Sequence, residues 1–86
     1  GAPDPAEASR WEREQAVRQA LAELGGRCEA LLTRLFRDPS PDYHGIARDL
    51  EMPVGSIGPT RARCFAKLAP ILRRLGVAPD AEGPGD

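Results

Sequence analysis

Aromatic residues are scarce in this sequence: Trp11, Phe36, Tyr43 and Phe65 are all it has. β-Branched residues are sparse as well, while Ala, Leu, Arg and Glu are prominent, a balance that favours helices. A single histidine, His44, and two cysteines, Cys28 and Cys64, are too few for a four-ligand Cys/His zinc site. No apolar run approaches the roughly 18–20 residues of a membrane span. The N-terminus lacks the charged-then-apolar layout of a secretory signal. A soluble, cytoplasmic protein is therefore expected. No phosphate loop, carboxylate pair or nucleophile constellation is present, so neither an enzyme nor a cofactor site is expected.

What the chain does have is enough apolar sequence to fold, at 41% hydrophobic and 29% charged residues over 86 positions, which suits one small domain. The net charge of −1 hides an uneven distribution. Residues 1–51 hold seven Arg against ten acids, and residues 80–86 hold three acids and no base. Between them, residues 52–79 carry Arg61, Arg63, Lys67, Arg73 and Arg74 with no acid at all. Such a segment provides a local footprint for a polyanion. The two cysteines each fall on a predicted apolar helix face and read as buried, reduced thiols. A redox-sensing pair is the alternative, though nothing in their spacing asks for it.

Breakers divide the chain into four helical stretches. The first is expected from about Glu7 to Leu24, with Val17, Ala20, Leu21 and Leu24 on one face, ending at Gly25-Gly26. Residues 1–12, with Trp11, are read as a linker or disordered N-terminus. The second runs from about Arg27 to Arg37 with Cys28, Leu31, Leu32 and Leu35 on its stripe, and Asp38-Pro39 stops it. The third is expected to open with Ser40 as N-cap, Pro41 as first helical residue and Asp42 at the positive end of the dipole. Its buried face is Tyr43, Ile46, Ala47 and Leu50, and Glu51-Met52-Pro53 breaks it. The fourth begins near Pro53–Ser56 and reaches about Leu75, with Ile57, Cys64, Leu68, Ile71, Leu72 and Leu75 as its stripe. Residues 76–86 read as a disordered tail.

The last two helices, joined by a short turn with the second one basic, have the spacing of a helix-turn-helix over residues 41–68. Ala47 stands where the helices cross, and Ile46, Leu50, Met52 and Ile57 fill the wedge between them. The expected fold is all-α, a small four-helix domain with a C-terminal helix-turn-helix. This spacing is a packing signature, and some such pairs serve only protein contacts.

The run Tyr43-His44-Gly45-Ile46-Ala47-Arg48-Asp49-Leu50, followed by Met52-Pro53-Val54-Gly55-Ser56-Ile57-Gly58-Pro59-Thr60-Arg61-Ala62-Arg63-Cys64, resembles region 4 of the extracytoplasmic-function sigma factors of the sigma-70 family. The resemblance spans residues 13–75 and is strongest from Met52 to Cys64. It implies a bacterial promoter-recognition domain that reads the −35 element in the DNA major groove. It also implies docking on the β-subunit flap of RNA polymerase to direct transcription initiation and, in many members, capture by an anti-sigma factor. The domain that opens promoter DNA is absent from these 86 residues, so a chain of this kind would be one part of a longer sigma factor.

Departures from that pattern bear on recognition. Gly45 stands where the family usually has Glu, and Glu51 where a Gly often follows the Leu at the turn. With Ile57 buried, positions 58, 59, 62 and 66 face outward on the fourth helix, and they are Gly58, Pro59, Ala62 and Ala66. None has a hydrogen-bonding side chain, so bidentate base reading cannot come from them; Pro59 and Ala62 offer apolar contact to thymine methyls instead. Arg63 and Lys67 on the flank suit phosphates, and Ser56 near the helix start suits a phosphate beside first-turn amides. Arg61 falls inside the apolar arc of a straight helix, so it must snorkel, or Pro59 must distort the helix. The expected DNA-binding set is Ser56, Gly58, Pro59, Thr60, Arg61, Ala62, Arg63 and Lys67, working more through shape and phosphates than through base hydrogen bonds.

Other residues have plainer readings. His44 reads as a solvated surface residue and Tyr43 as a packing aromatic. Arg73-Arg74 fit either a solvated helix end or a contact with DNA or polymerase, and Trp11 is a linker residue, a plug or a partner anchor. A second function stands beside promoter recognition: a protein-interaction module bound mainly by an anti-sigma factor or other regulatory protein.

Overall fold

The computed structural model describes residues 5–77, and the expectations for residues 1–4 and 78–86 lie outside them. Four α-helices make up the described residues in the order α1 (Pro5–Leu24), α2 (Gly26–Arg37), α3 (Tyr43–Leu50) and α4 (Ile57–Arg74). A 3-10 turn, Val54–Ser56, leads directly into α4, and there is no strand among the described residues. None of these helices is long and apolar enough to cross a membrane.

α1 starts earlier than the periodicity suggests and runs unbroken through most of the expected linker. Pro5 suits a first helical position, and no breaker follows until Gly25. Residues 9–14 are nevertheless exposed, Trp11 among them at 62%, so that part of the helix stands free of the core. Gly25 and Gly26 then reverse the chain with φ of 64° and 60°, values that glycine reaches without strain.

α3 also opens later than Ser40-Pro41 suggests. The Asp38 carboxylate accepts the Ser40 amide at 3.0 Å, so residues 38–40 close a turn of their own. The helix is entered from an extended Asp42, whose carbonyl accepts the Ile46 amide at 3.0 Å. Ser40 is therefore not the cap and Pro41 is not helical.

The packing falls into two adjoining clusters. Ala20, Leu21, Leu32, Cys64, Leu68 and Leu72 join α1, α2 and α4. Leu31, Ile46, Ala47, Met52 and Ile57 join α2, α3 and the start of α4. Leu35 packs against both, so α2 is the shared wall. Two exposed ion pairs tie the outside: Arg34 to Asp49 at 2.9 Å between α2 and α3, and Arg74 to Glu23 between α4 and α1. Each contributes about 0–1 kcal/mol at most. Arg74 thus has a partner within the chain, while Arg73 is exposed.

Cys28 and Cys64 are not reduced thiols. They form a disulfide with a Cα–Cα separation of 5.3 Å. Both lie on apolar stripes, as expected, but the stripes of α2 and α4 face each other at one level, and this brings the sulfurs together.

Two helices end in the same hydrogen-bonded cap. After α4, the Gly76 amide donates to the Arg73 carbonyl and the Val77 amide to the Leu72 carbonyl, with Gly76 at φ 89°. After α3, the Glu51 amide donates to Arg48 at 3.3 Å and the Met52 amide to Ala47 at 3.0 Å, which is the Schellman pattern. Glu51 occupies its left-handed position at φ 56°, ψ 54°. A side chain there costs roughly 1–2 kcal/mol, part of which glycine returns as unfolded-state entropy. Glu51→Gly is therefore expected to stabilise the fold by about 0.5–1 kcal/mol, read from the midpoint of urea unfolding.

Candidate nucleic-acid interface

α4 has two unlike sides. Ile57, Cys64, Leu68 and Leu72 are buried against the rest of the domain. Opposite them Pro59, Ala62, Arg63, Ala66, Lys67 and Pro70 are exposed. The outward strip begins apolar and small, as the sequence implied, and its charge lies at Arg63 and Lys67. Ser56, Gly58 and Thr60 sit half-buried at the start of the helix. The eight residues expected to form one surface thus lie along one 3-10 turn and the first three turns of one helix.

Several side chains are already positioned. The Arg63 guanidinium donates to the Thr60 hydroxyl at 3.2 Å, one turn back. That bond holds the charge towards the helix start. Arg61 resolves its awkward place in the apolar arc by snorkelling: it is exposed, with its guanidinium carbon 5.4 Å from the centroid of the Phe65 ring. Phe65 in turn meets Phe36 at 5.6 Å between ring centres, tilted by 47°. The result is a short stack of one cation and two rings running from α4 to the end of α2.

Pro59 distorts nothing. It is the third residue of α4, inside the first turn, where its missing amide would have had no partner within the helix. The proline that interrupts the helix is Pro70. Lacking an amide, it leaves the Ala66 carbonyl without its usual donor on the exposed side. Fewer amides are free at the helix start than expected. The Ser56 amide donates to Pro53 and the Ile57 amide to Val54 within the 3-10 turn, and Pro59 has none to offer. Ser56 makes no side-chain capping bond.

Some features of the molecule were not visible from periodicity. Arg48, at the end of α3, has a side chain 79% exposed and stands 4.0 Å from Asp49. A second is an open groove of about 1030 Å³ on the α1 side of the molecule, with Val17, Leu21, Phe36, Phe65, Leu68 and Leu72 among its lining residues. Arg10, Arg13, Arg18 and Arg37 also line it. The spacing of Val17 and Leu21 was legible. What was not is that Phe36 and Phe65, each one residue past a stripe residue (Leu35 and Cys64), would meet at its edge. Compared with protein-family models, with curated proteins and with solved structures, the chain matches none.

Proposed function

We propose that α3, the following turn and α4 act as a helix-turn-helix, with α4 entering the DNA major groove. In this reading the chain is a promoter-recognition domain of the sigma region 4 type, working in the bacterial cytoplasm. It docks on RNA polymerase through its β-subunit flap and reads the −35 element of promoter DNA. One observation carries the reading: α4 buries its apolar stripe and leaves exposed a face of small residues flanked by Arg61, Arg63 and Lys67, with no acid in the helix. Small side chains let the backbone approach the bases, and the flanking cations pair with phosphates on either side. Ile46, Ala47, Met52 and Ile57 packed together support the angle between the two helices.

Affinity for a DNA duplex measured against salt tests this. Each phosphate contact adds about 0.9 to the slope of log affinity against log salt. Arg63→Ala and Lys67→Ala are each expected to reduce that slope by about one and to weaken all sequences alike. Absence of binding at low salt overturns the proposal.

The groove beside Phe36 favours a second reading. Phe36 is 47% exposed at the edge of an apolar, arginine-lined surface, as a module bound by an anti-sigma factor or other regulatory protein would present. In that case DNA affinity is absent and the partner alone binds.

A further inference from the structure

We infer that the Cys28–Cys64 disulfide is a redox switch on the DNA-facing helix, closed in the binding-competent state and opened by thiols. This rests on the DNA-binding reading of α4. A domain that meets promoter DNA works in the cytoplasm, where small thiols keep protein cysteines reduced and disulfides are mostly transient or redox-sensing. Yet the structure places a closed disulfide at the root of the proposed reading helix. The proposed location and the closed bond are compatible when the bond is made and broken in use.

The position of the bond fits that role. Cys64 lies in α4 one turn from Thr60, Arg61 and Lys67, and it is 1% exposed within the core cluster. Cys28 is in the first turn of α2 and only partly buried. An incoming thiolate therefore reaches the Cys28 sulfur. It forms a mixed disulfide there and expels Cys64 as a thiolate, which takes up a proton. A second small thiol then attacks the mixed disulfide, releasing Cys28 and a small-molecule disulfide. Overall, two small thiols are oxidised to one disulfide while the protein disulfide gains two electrons and two protons. Oxidation by a small-molecule disulfide runs the same steps backwards.

Opening the bond leaves α4 held on α2 by side-chain packing alone. A core this small supplies only a few kcal/mol, so the population with α4 seated falls and the apparent affinity falls with it. The ion pair from Arg74 to Glu23 holds the far end of α4 and does not replace the crosslink at Cys64.

The test uses the full 86-residue chain, equilibrated with glutathione buffers of rising reduced-to-oxidised ratio. Bond state is read by thiol labelling, and binding by the anisotropy of a labelled mixed-sequence DNA duplex. The expected result is a reversible transition within that range, with binding weaker by about three- to tenfold in the reduced form and restored on reoxidation. Cys28→Ala should bind weakly and ignore the buffer. Equal binding by the closed and open forms overturns the switch, as does a bond that stays closed in excess reduced glutathione. No binding by the closed form is a different result: it removes the DNA reading, and the inference falls with it.

Discussion

Reducing the Cys28–Cys64 disulfide should cost the domain about 4 kcal/mol of stability. The bond closes a loop across a sequence separation of 36 residues. Chain-entropy arithmetic for a loop of that size gives about 4 kcal/mol, released when the open chain regains its freedom. The ion pairs are exposed, and the core is built from side chains of modest size, Leu31, Leu32, Ile46, Ile57 and Leu68 being the largest fully buried apart from Cys64. A core this small supplies about 3–5 kcal/mol, so the reduced chain should sit at its own unfolding transition. Urea unfolding with and without dithiothreitol, followed by far-UV circular dichroism, reads this directly. A midpoint unchanged once both thiols are shown to be free would overturn the loop-entropy argument.

The second large effect has the opposite sign. Pro70→Ala should stabilise the fold by about 2 kcal/mol, raising the melting temperature by roughly 10 °C. Proline in a helix interior costs about 3 kcal/mol relative to alanine, through the lost amide and the clash of its ring with the carbonyl four residues earlier. Here that carbonyl belongs to Ala66, and both residues are exposed, so alanine restores a backbone bond without disturbing the core. Part of the gain is offset because proline also stiffens the unfolded chain. Calorimetry of the oxidised protein is the suitable measurement. No gain, or a loss, would show that Leu72 and Leu75 rely on a bend at Pro70 to reach α1.

Much of the fold was legible because apolar spacing and breakers agreed. The stripes on α2, α3 and α4 were placed residue by residue, since each repeats at helical spacing and ends at Gly, Pro or Asp. One helix start differs for a local reason: at α3 the Asp38 carboxylate accepts the Ser40 amide, a competition that capping preferences alone do not decide. α1 opens at Pro5, close to the expected Glu7, because nothing in the charged stretch around Trp11 breaks a helix. The disulfide was beyond reach for a different reason. Spacing places each cysteine on an apolar face, but not at the same level on two facing helices; that register exists only once α2 and α4 are packed. The same holds for the interface. The outward set on α4 followed from the position of Ile57, whereas the stacking of Arg61 on Phe65 and of Phe65 on Phe36 depends on how α2 ends beside α4.

The disulfide also divides the chain into a ring and two free arms. The ring runs from Cys28 to Cys64 and holds most of α2, all of α3, the turn with Ser56, and α4 from Ile57 to Cys64. α1 lies wholly outside it, with Lys67 and the rest of α4 on the other arm. Fraying from either end can therefore peel away α1 and bare Leu68 and Leu72 while the ring stays shut around Ile46, Ala47 and Ile57. Sub-global opening of this kind would leave the proposed DNA-facing turn as the last part of the molecule to come apart.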